Sequence, residues 1–213
     1  MGRNLNPKCK QCRRLGEKLF LKGERCYTAK CAQLRRPYAP GTQSKSRGRR
    51  GRGLSEYGKQ LAEKQKVKKT YGLLEKQFKN YVLEAIAAKG DSRDNLIDKL
   101  ETRLDNTIFR LGLAKSREAA RQLVNHGLVR INGRRVDIPS CQVKIKDKIE
   151  IKERALKSPN FANLKVILQK QQFPSWIKFD ADKFQAEVVG KPIAEDLTDN
   201  VKNLGMVIEY YSR

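Results

Sequence analysis

The chain has 213 residues, with 47 Lys and Arg against 23 Asp and Glu, a formal net charge of +24 and 33% charged residues, above the roughly 25% usual for soluble proteins. This excess points to polyanionic partners. No uninterrupted apolar run exceeds four residues, far short of the ~20 needed to cross a bilayer, so a membrane-spanning protein is excluded. Met1-Gly2-Arg3-Asn4-Leu5-Asn6-Pro7 lacks the apolar stretch of a secretory signal, and the expectation is a cytosolic chain. The charge is uneven: residues 1–53 hold 16 basic and 2 acidic side chains, residues 102–165 hold 15 and 6, and residues 172–213 hold 5 and 7. Affinity for nucleic acid depends on cations replacing condensed counterions, so phosphates are expected at the first two of these blocks and protein neighbours at the last.

In chain order, the first feature is Cys9-x2-Cys12 and Cys26-x4-Cys31, separated by thirteen residues. Two short-spaced pairs joined by one loop can turn four sulfurs toward a single ion, a structural site with no open position. Flanking Lys8, Lys10, Arg13, Arg14, Arg25 and Lys30 would favour the thiolate form. Two disulfides are the plainer alternative, disfavoured by the odd count of five cysteines and the expected cytosolic setting. Zinc is the default ion, and an iron–sulfur cluster is the open alternative. Cys141 stands alone and reads as a small buried apolar side chain.

From Arg35 to Gly53 the sequence is rich in Pro, Gly, Ser and Arg, with six arginines and almost no large apolar residue. Such a stretch builds no core and suits paired hydrogen bonds to phosphate. Helical patterning begins at Leu54 with Ser55 as cap and Lys64, Lys66, Lys68 and Lys69 toward its end. A second helix fits Leu73 to Lys89, with Leu74, Phe78, Tyr81, Val82 and Ala85 as its core face and Gly90 as its stop. Leu96, Leu100, Leu104, Ile108 and Leu111 keep one helical period up to Gly112, and another helix runs from Ser116 to Gly127, with Ala119, Ala120, Leu123 and Val124 inward and Arg117 and Arg121 sharing a face. Leu128 to Ile131, the turn Asn132-Gly133 and Arg134 to Val136 read as a hairpin, because that dipeptide accepts positive φ at both turn positions. Val143, Ile145, Ile149 and Ile151 alternate with charged residues and predict further half-buried strands. His126, the one histidine, has no titrating partner nearby and reads as a packing or hydrogen-bonding residue.

A set of motifs spread over nearly the whole chain carries a resemblance. They are Lys22-Gly23-Glu24-Arg25-Cys26-Tyr27 with the four cysteines, Arg35-Arg36-Pro37-Tyr38, Leu54-Ser55-Glu56-Tyr57-Gly58, Glu63-Lys64-Gln65-Lys66-Val67, Tyr71-Gly72-Leu73-Leu74-Glu75-Lys76-Gln77-Phe78, Arg103-Leu104-Asp105-Asn106, Val129-Arg130-Ile131-Asn132-Gly133 and Glu209-Tyr210-Tyr211-Ser212-Arg213. In order and spacing these resemble the bacterial small-subunit ribosomal protein four family. The resemblance implies a structural constituent of the small ribosomal subunit that binds small-subunit (16S) ribosomal RNA at a multi-helix junction and nucleates assembly of the subunit body. It further implies neighbours in small-subunit proteins three and five, a share in the channel by which messenger RNA enters, and an influence on translational accuracy. Some members repress their own operon. This chain departs from the family at His126-Gly127-Leu128, where the family often shows His-Gly-His, and at Lys146-Asp147-Lys148, where it often shows Pro-Gly-Asp.

An enzyme is not expected: the chain shows no Gly-rich phosphate loop, no Ser/His/Asp set and too few residues after Gln172 for a catalytic domain. A zinc-dependent DNA-binding regulator is disfavoured by the lack of repeated fingers. The expectation is an α+β, mainly helical chain: a four-cysteine metal-binding segment (1–45), a basic linker and helical domain (46–101), a small αα-β RNA-binding module (102–165) and a segment (166–213) that packs on the helical domain and meets neighbouring proteins. RNA contacts are expected from Arg47, Arg49, Arg50 and Arg52, from Lys59, Lys66, Lys68 and Lys69, and from Arg103, Arg117, Arg121, Arg130, Asn132, Arg134 and Arg135. A metal ion is expected on Cys9, Cys12, Cys26 and Cys31. The expected place is the ribosome of the cytoplasm, with no membrane partner.

Overall fold

The computed structural model describes residues 6–41, 54–152, 155, 168, 171, 173–180, 184–197 and 201–212. The chain divides into two units, Met1–Arg93 with Thr198–Arg213, and Asp94–Leu197.

The first unit is helical. Helix α1 (Lys8–Leu15) stops at Gly16, whose φ of 78° closes the helix in the left-handed region. A short 3-10 turn (Gly23–Cys26) and α2 (Ala32–Arg35) follow. Helix α3 (Glu56–Thr70) starts where the sequence places its cap, with Ser55 Oγ accepting from the Gly58 N–H at 3.2 Å. Helix α4 (Glu75–Ala87) buries Phe78, Val82 and Ala85. It begins later than expected because Leu74 takes the extended N-cap conformation, which leaves its side chain 42% exposed and outside the core. The last helix, α8 (Leu204–Tyr211), packs on α3 and α4 and buries Leu204 and Val207, with the Tyr211 ring edge-on to Phe78.

In the second unit, the apolar period expected to run unbroken from Leu96 to Leu111 is carried by two helices, α5 (Ser92–Glu101) and α6 (Leu104–Arg110). The break has a cause: Arg103 is extended, with ψ 134°, and forms a bridge to Gln142. Helix α7 (Arg117–Asn125) is capped by Ser116 Oγ, which accepts from the Ala119 N–H at 3.2 Å. Strands β1 (Val129–Ile131) and β2 (Arg134–Val136) form the expected hairpin, with Asn132 at φ 51° and Gly133 at φ 77°. Strand β3 covers only Lys148–Ile151. Residues 143–147 form a turn instead, with Lys146 at φ 74° and Ile145 48% exposed, so the inward role expected of Ile145 is not found.

Two further strands, β4 (Ile177–Asp180) and β5 (Gln185–Val188), complete an antiparallel sheet of order β2-β1-β3-β5-β4. This corrects the expected boundary at 165, since β3 on its own would leave the apolar Ile149 row unpaired on one side, and β5 supplies the partner Ala186. Alternation sends Val129, Ile149, Ile151, Ala186, Val188 and Ile177 to one face, where they meet Leu104, Ile108, Ala120, Val124 and Trp176 in one core. Cys141 and Leu128 lie partly buried against it.

Candidate nucleic-acid interface

The side chains on the other face of the second unit's sheet are read from the pairing register. Arg135 on β2 stands opposite Arg130 on β1, which stands opposite Glu150 on β3, then Gln185 on β5 and Asp180 on β4. Glu150 accepts from Gln185 Nε2 at 2.8 Å, so acid and amide satisfy one another toward β5. The β1–β2 end is different, because two exposed guanidinium groups face each other across one strand pair. Like charges directly opposite destabilise a sheet, and an external anion is what offsets them. Arg134 extends the exposed cationic surface along the hairpin.

Asn132, expected as an RNA contact, holds the hairpin in place. Its Nδ2 donates to Asp147 Oδ1 at 2.8 Å, and its Oδ1 accepts from the Lys148 N–H at 2.9 Å. Asp147 Oδ2 in turn accepts from the Lys144 N–H at 2.8 Å, which fixes the Lys146-Asp147-Lys148 turn that departs from the family pattern.

Beneath this surface lies a polar interior, and it corrects the reading of Arg103. That side chain is 0% exposed, and its Nε and Nη2 donate to Asp105 Oδ1 and Oδ2 at 3.1 and 2.8 Å. A guanidinium held there cannot present itself to RNA, so Arg103 is an internal member of the helix pair. Arg121, on a side chain only 12% exposed, reaches the same Asp105 at 3.5 Å. Arg117 Nε donates to Asn106 Oδ1 at 2.8 Å, and its guanidinium lies 4.5 Å from the Phe109 ring centre. Wholly buried Glu101 accepts two bonds from Arg110 at 2.8 Å and one from Asn106 Nδ2 at 2.8 Å. Arg117 and Arg121 are therefore fixed at their inner ends, while Arg130, Arg134 and Arg135 carry the exposed charge. Sequence reasoning missed Glu101 and Arg110; their nine-residue spacing across a helix break has no periodic signature.

In the first unit most of the α3 lysines are held by carboxylates. Lys59 pairs with Glu56 at 2.6 Å. Lys66 is buried and pairs with Glu17 at 2.8 Å and Glu63 at 3.3 Å; burial works against its charge, but these two carboxylates outweigh it and raise its pKa. Lys66 is thus an internal anchor and not the phosphate contact expected. Lys64, 4.5 Å from the Tyr210 ring centre, and Lys68 both pair with Glu75, at 2.5 and 2.7 Å, and the Tyr211 hydroxyl donates to Glu75 at 2.7 Å. Burial opposes the charge on Glu75, but hydrogen bonds from Lys64, Lys68 and Tyr211 hold its carboxyl down at about 2. The Tyr211 phenol is pushed up, by burial first and then by Glu75. Lys69 differs: burial, then Lys68 and Arg14, push its pKa down. Arg47, Arg49, Arg50 and Arg52 lie outside the described residues.

Cys9, Cys12, Cys26 and Cys31 all carry free thiols, and the last three are buried. Two receive backbone donors, Cys26 from the Lys22 N–H at 3.4 Å and Cys12 from Leu19. The donor chemistry fits a four-thiolate ion. Among the described residues, however, no three His, Cys, Asp or Glu side chains are placed as an assembled metal site. Burial pushes the Cys12 thiol up against the Leu19 bond, and Cys26, Cys9 and Cys31 add to the rise, so the expected thiolate-favouring effect of the flanking cations does not prevail there. A metal-stabilised amino-terminal segment is therefore not supported by this geometry.

The fold and this surface define a structural, non-enzymatic protein built on a helical domain and a small antiparallel module. Residues 3–101 match the family model described as ribosomal protein S4/S9 N-terminal domain, and residues 102–149 match the S4 domain. Over 213 residues, covering all of both chains, the sequence is 48% identical to the small ribosomal subunit protein uS4 of Solidesulfovibrio magneticus and 47% identical to that of Nitratidesulfovibrio vulgaris. The protein of the same name from Acetivibrio thermocellus is 46% identical over the same span. The chain belongs to the uS4 family of small ribosomal subunit proteins, structural components of the cytoplasmic ribosome.

Proposed function

We propose that this chain is a primary binder of small-subunit (16S) ribosomal RNA, holding a multi-helix junction and so nucleating assembly of the subunit body. The observation that carries this reading is the Arg130–Arg135 pair, two exposed guanidinium groups facing each other on a hairpin clasped by Asn132 and Asp147. Such a surface fixes cations at set positions before binding, and RNA phosphates are the anions it suits. No bond is made or broken; the work is binding and positioning. Through neighbouring small-subunit proteins three and five, the bound protein borders the channel by which messenger RNA enters and influences translational accuracy. That part rests on the resemblance and on the different charge balance of residues 172–213.

The test is binding to naked small-subunit RNA across a salt series, with duplex DNA as competitor. If about six phosphates are neutralised, raising salt from about 50 to 200 mM weakens binding by about 10³-fold. A flat response, or equal affinity for duplex DNA, would sink the reading.

The same proposal gives Cys9, Cys12, Cys26 and Cys31 a structural ion, zinc, with an iron–sulfur cluster as the alternative. Support comes from the four free thiols and the backbone donors to Cys12 and Cys26. Such an ion would contribute about 10–16 kcal/mol in small zinc domains. Metal analysis of the purified chain identifies it. Changing Cys9 and Cys12 to Ser should then lower amide protection over residues 6–41 and leave the second unit intact; unchanged protection would remove the structural role.

A further inference from the structure

Between α1 and the end of α3 lies a cavity of about 450 Å³, within the first unit. Lys10 and Arg14, one helical turn apart on α1, line it together with Lys69 from the last turn of α3, and Pro40 and Gly41 form part of its wall. Among the described residues, no acidic side chain lines it. This sets it apart from the rest of α3, where Lys59, Lys64, Lys66 and Lys68 each have a carboxylate. On α1, Arg13 is likewise engaged, donating to the carbonyls of Arg36 and Tyr38 at 3.1 and 3.0 Å and stacking on the Tyr38 ring. Among the described residues, Lys10, Arg14 and Lys69 pair with no carboxylate, although acids are available to their neighbours.

Three cations converging on one cavity repel each other, so the arrangement lowers the stability of the free protein and is compensated only when an anion enters. The walls are held independently of that anion: α1 packs on α3, and Arg13 ties the 36–38 backbone that leads to Pro40 and Gly41. The volume lies in the range of small-molecule sites and exceeds what one bare phosphate fills. A phosphate together with its sugar suits it. The wall also adjoins the chain segment richest in arginine, since Gly41 precedes the run containing Arg47, Arg49, Arg50 and Arg52.

We propose that this cavity takes one backbone phosphate and its ribose from the bound RNA, held by Lys10, Arg14 and Lys69. The site is a second RNA contact, on a different unit from the hairpin, and it rests on the RNA-binding reading given above.

The test uses the full chain. Arg14→Gln with Lys69→Gln is compared with Arg134→Gln with Arg135→Gln and with the unaltered protein, for binding to small-subunit RNA over a salt series. If two phosphate contacts are lost, the cavity variant binds at least about tenfold more weakly and its log-affinity slope against log salt falls by about 1.4–1.8. Its melting temperature in the absence of RNA stays level or rises, because repelling charges have been removed. Unchanged affinity and slope in the cavity variant, with both reduced in the hairpin variant, overturns the cavity and leaves the RNA reading standing. No change in either variant overturns both. A lowered melting temperature assigns Lys69 and Arg14 a packing role and defeats the proposal. Titration with adenosine 5′-monophosphate separates the sources: micromolar binding of the free nucleotide with RNA affinity unaltered in the variant would make this a soluble-nucleotide site instead.

Discussion

Lys64 in the first unit and Arg130 in the second are both cations on regular elements of a strongly basic chain, yet the fold treats them oppositely. Lys64 is buried between the Glu75 carboxylate and the rings of Tyr210 and Tyr211, where it joins the last helix to α3. Arg130 is exposed, with Arg135 as its cross-strand partner. Positive charge in this protein therefore has two uses, cementing helices where a carboxylate or aromatic ring is supplied and meeting anions where one is withheld. Which use applies is decided by neighbours in space. A residue count cannot distinguish them.

The comparison is most exposed to test at Arg103. Replacing it by Met leaves Asp105 buried with only the longer contact from Arg121, and breaking a buried pair from one side costs about 3–5 kcal/mol. Urea unfolding followed by signals from the second unit should show that loss. At concentrations of denaturant where the variant is still folded, its affinity for RNA should match that of the unaltered protein. A folded variant with weakened RNA binding would return Arg103 to the interface and blur the distinction drawn here.

The next effect concerns the acid response of the first unit. Glu75 ionises at about 2 in the fold against an ordinary value of 4.5, so the folded state favours the carboxylate. The resulting stabilisation is complete above about pH 4.5 and disappears as pH falls through the folded value near 2. The side chain is 47% exposed, and solvent screening reduces the effect to a fraction of what a buried pair would give. Glu75→Gln should lower stability at neutral pH and flatten the decline between pH 4.5 and 2 in thermal melts monitored on the first unit. An unchanged decline would assign the acid sensitivity to other carboxylates.

Much of the scaffold was legible beforehand, and the reasons are local. Ser55 and Ser116 announce helix starts because their hydroxyls satisfy the first free N–H groups, and both do so here. Asn132-Gly133 announces the hairpin because both residues tolerate positive φ. The helix break at Thr102–Arg103 was hidden because the apolar spacing continues across it, and the extended conformation depends on Gln142, some forty residues away. Strands β4 and β5 were hidden because their strongest reason for pairing is the exposed edge of β3, a tertiary fact. The exposed arginines of the hairpin were legible from alternation. Arg103 and Lys66 were misread because partner carboxylates at Asp105 and Glu17 become decisive only once the chain is folded.

The smallest expected effect joins the scaffold to the surface. Gly127, at φ 64°, lies beneath the Arg135 side chain, and a Cβ built on it would stand 2.2 Å from Arg135 Nε. Gly127→Ala therefore does two things: it places a non-glycine residue in the left-handed region, costing about 1 kcal/mol, and it forces the guanidinium to another position. Because the clashing atoms belong to a flexible, exposed side chain, the displacement itself costs little stability, so the melt should record the backbone strain alone. RNA affinity should fall by a few-fold while the salt slope stays nearly unchanged, since the charge remains and only its placement is altered. The contrast with Arg135→Gln, which should lower both affinity and slope, separates the position of the cation from its presence. If Gly127→Ala left RNA affinity untouched, Arg135 would be acting as diffuse charge, and the case for a pre-arranged hairpin surface would reduce to net electrostatics.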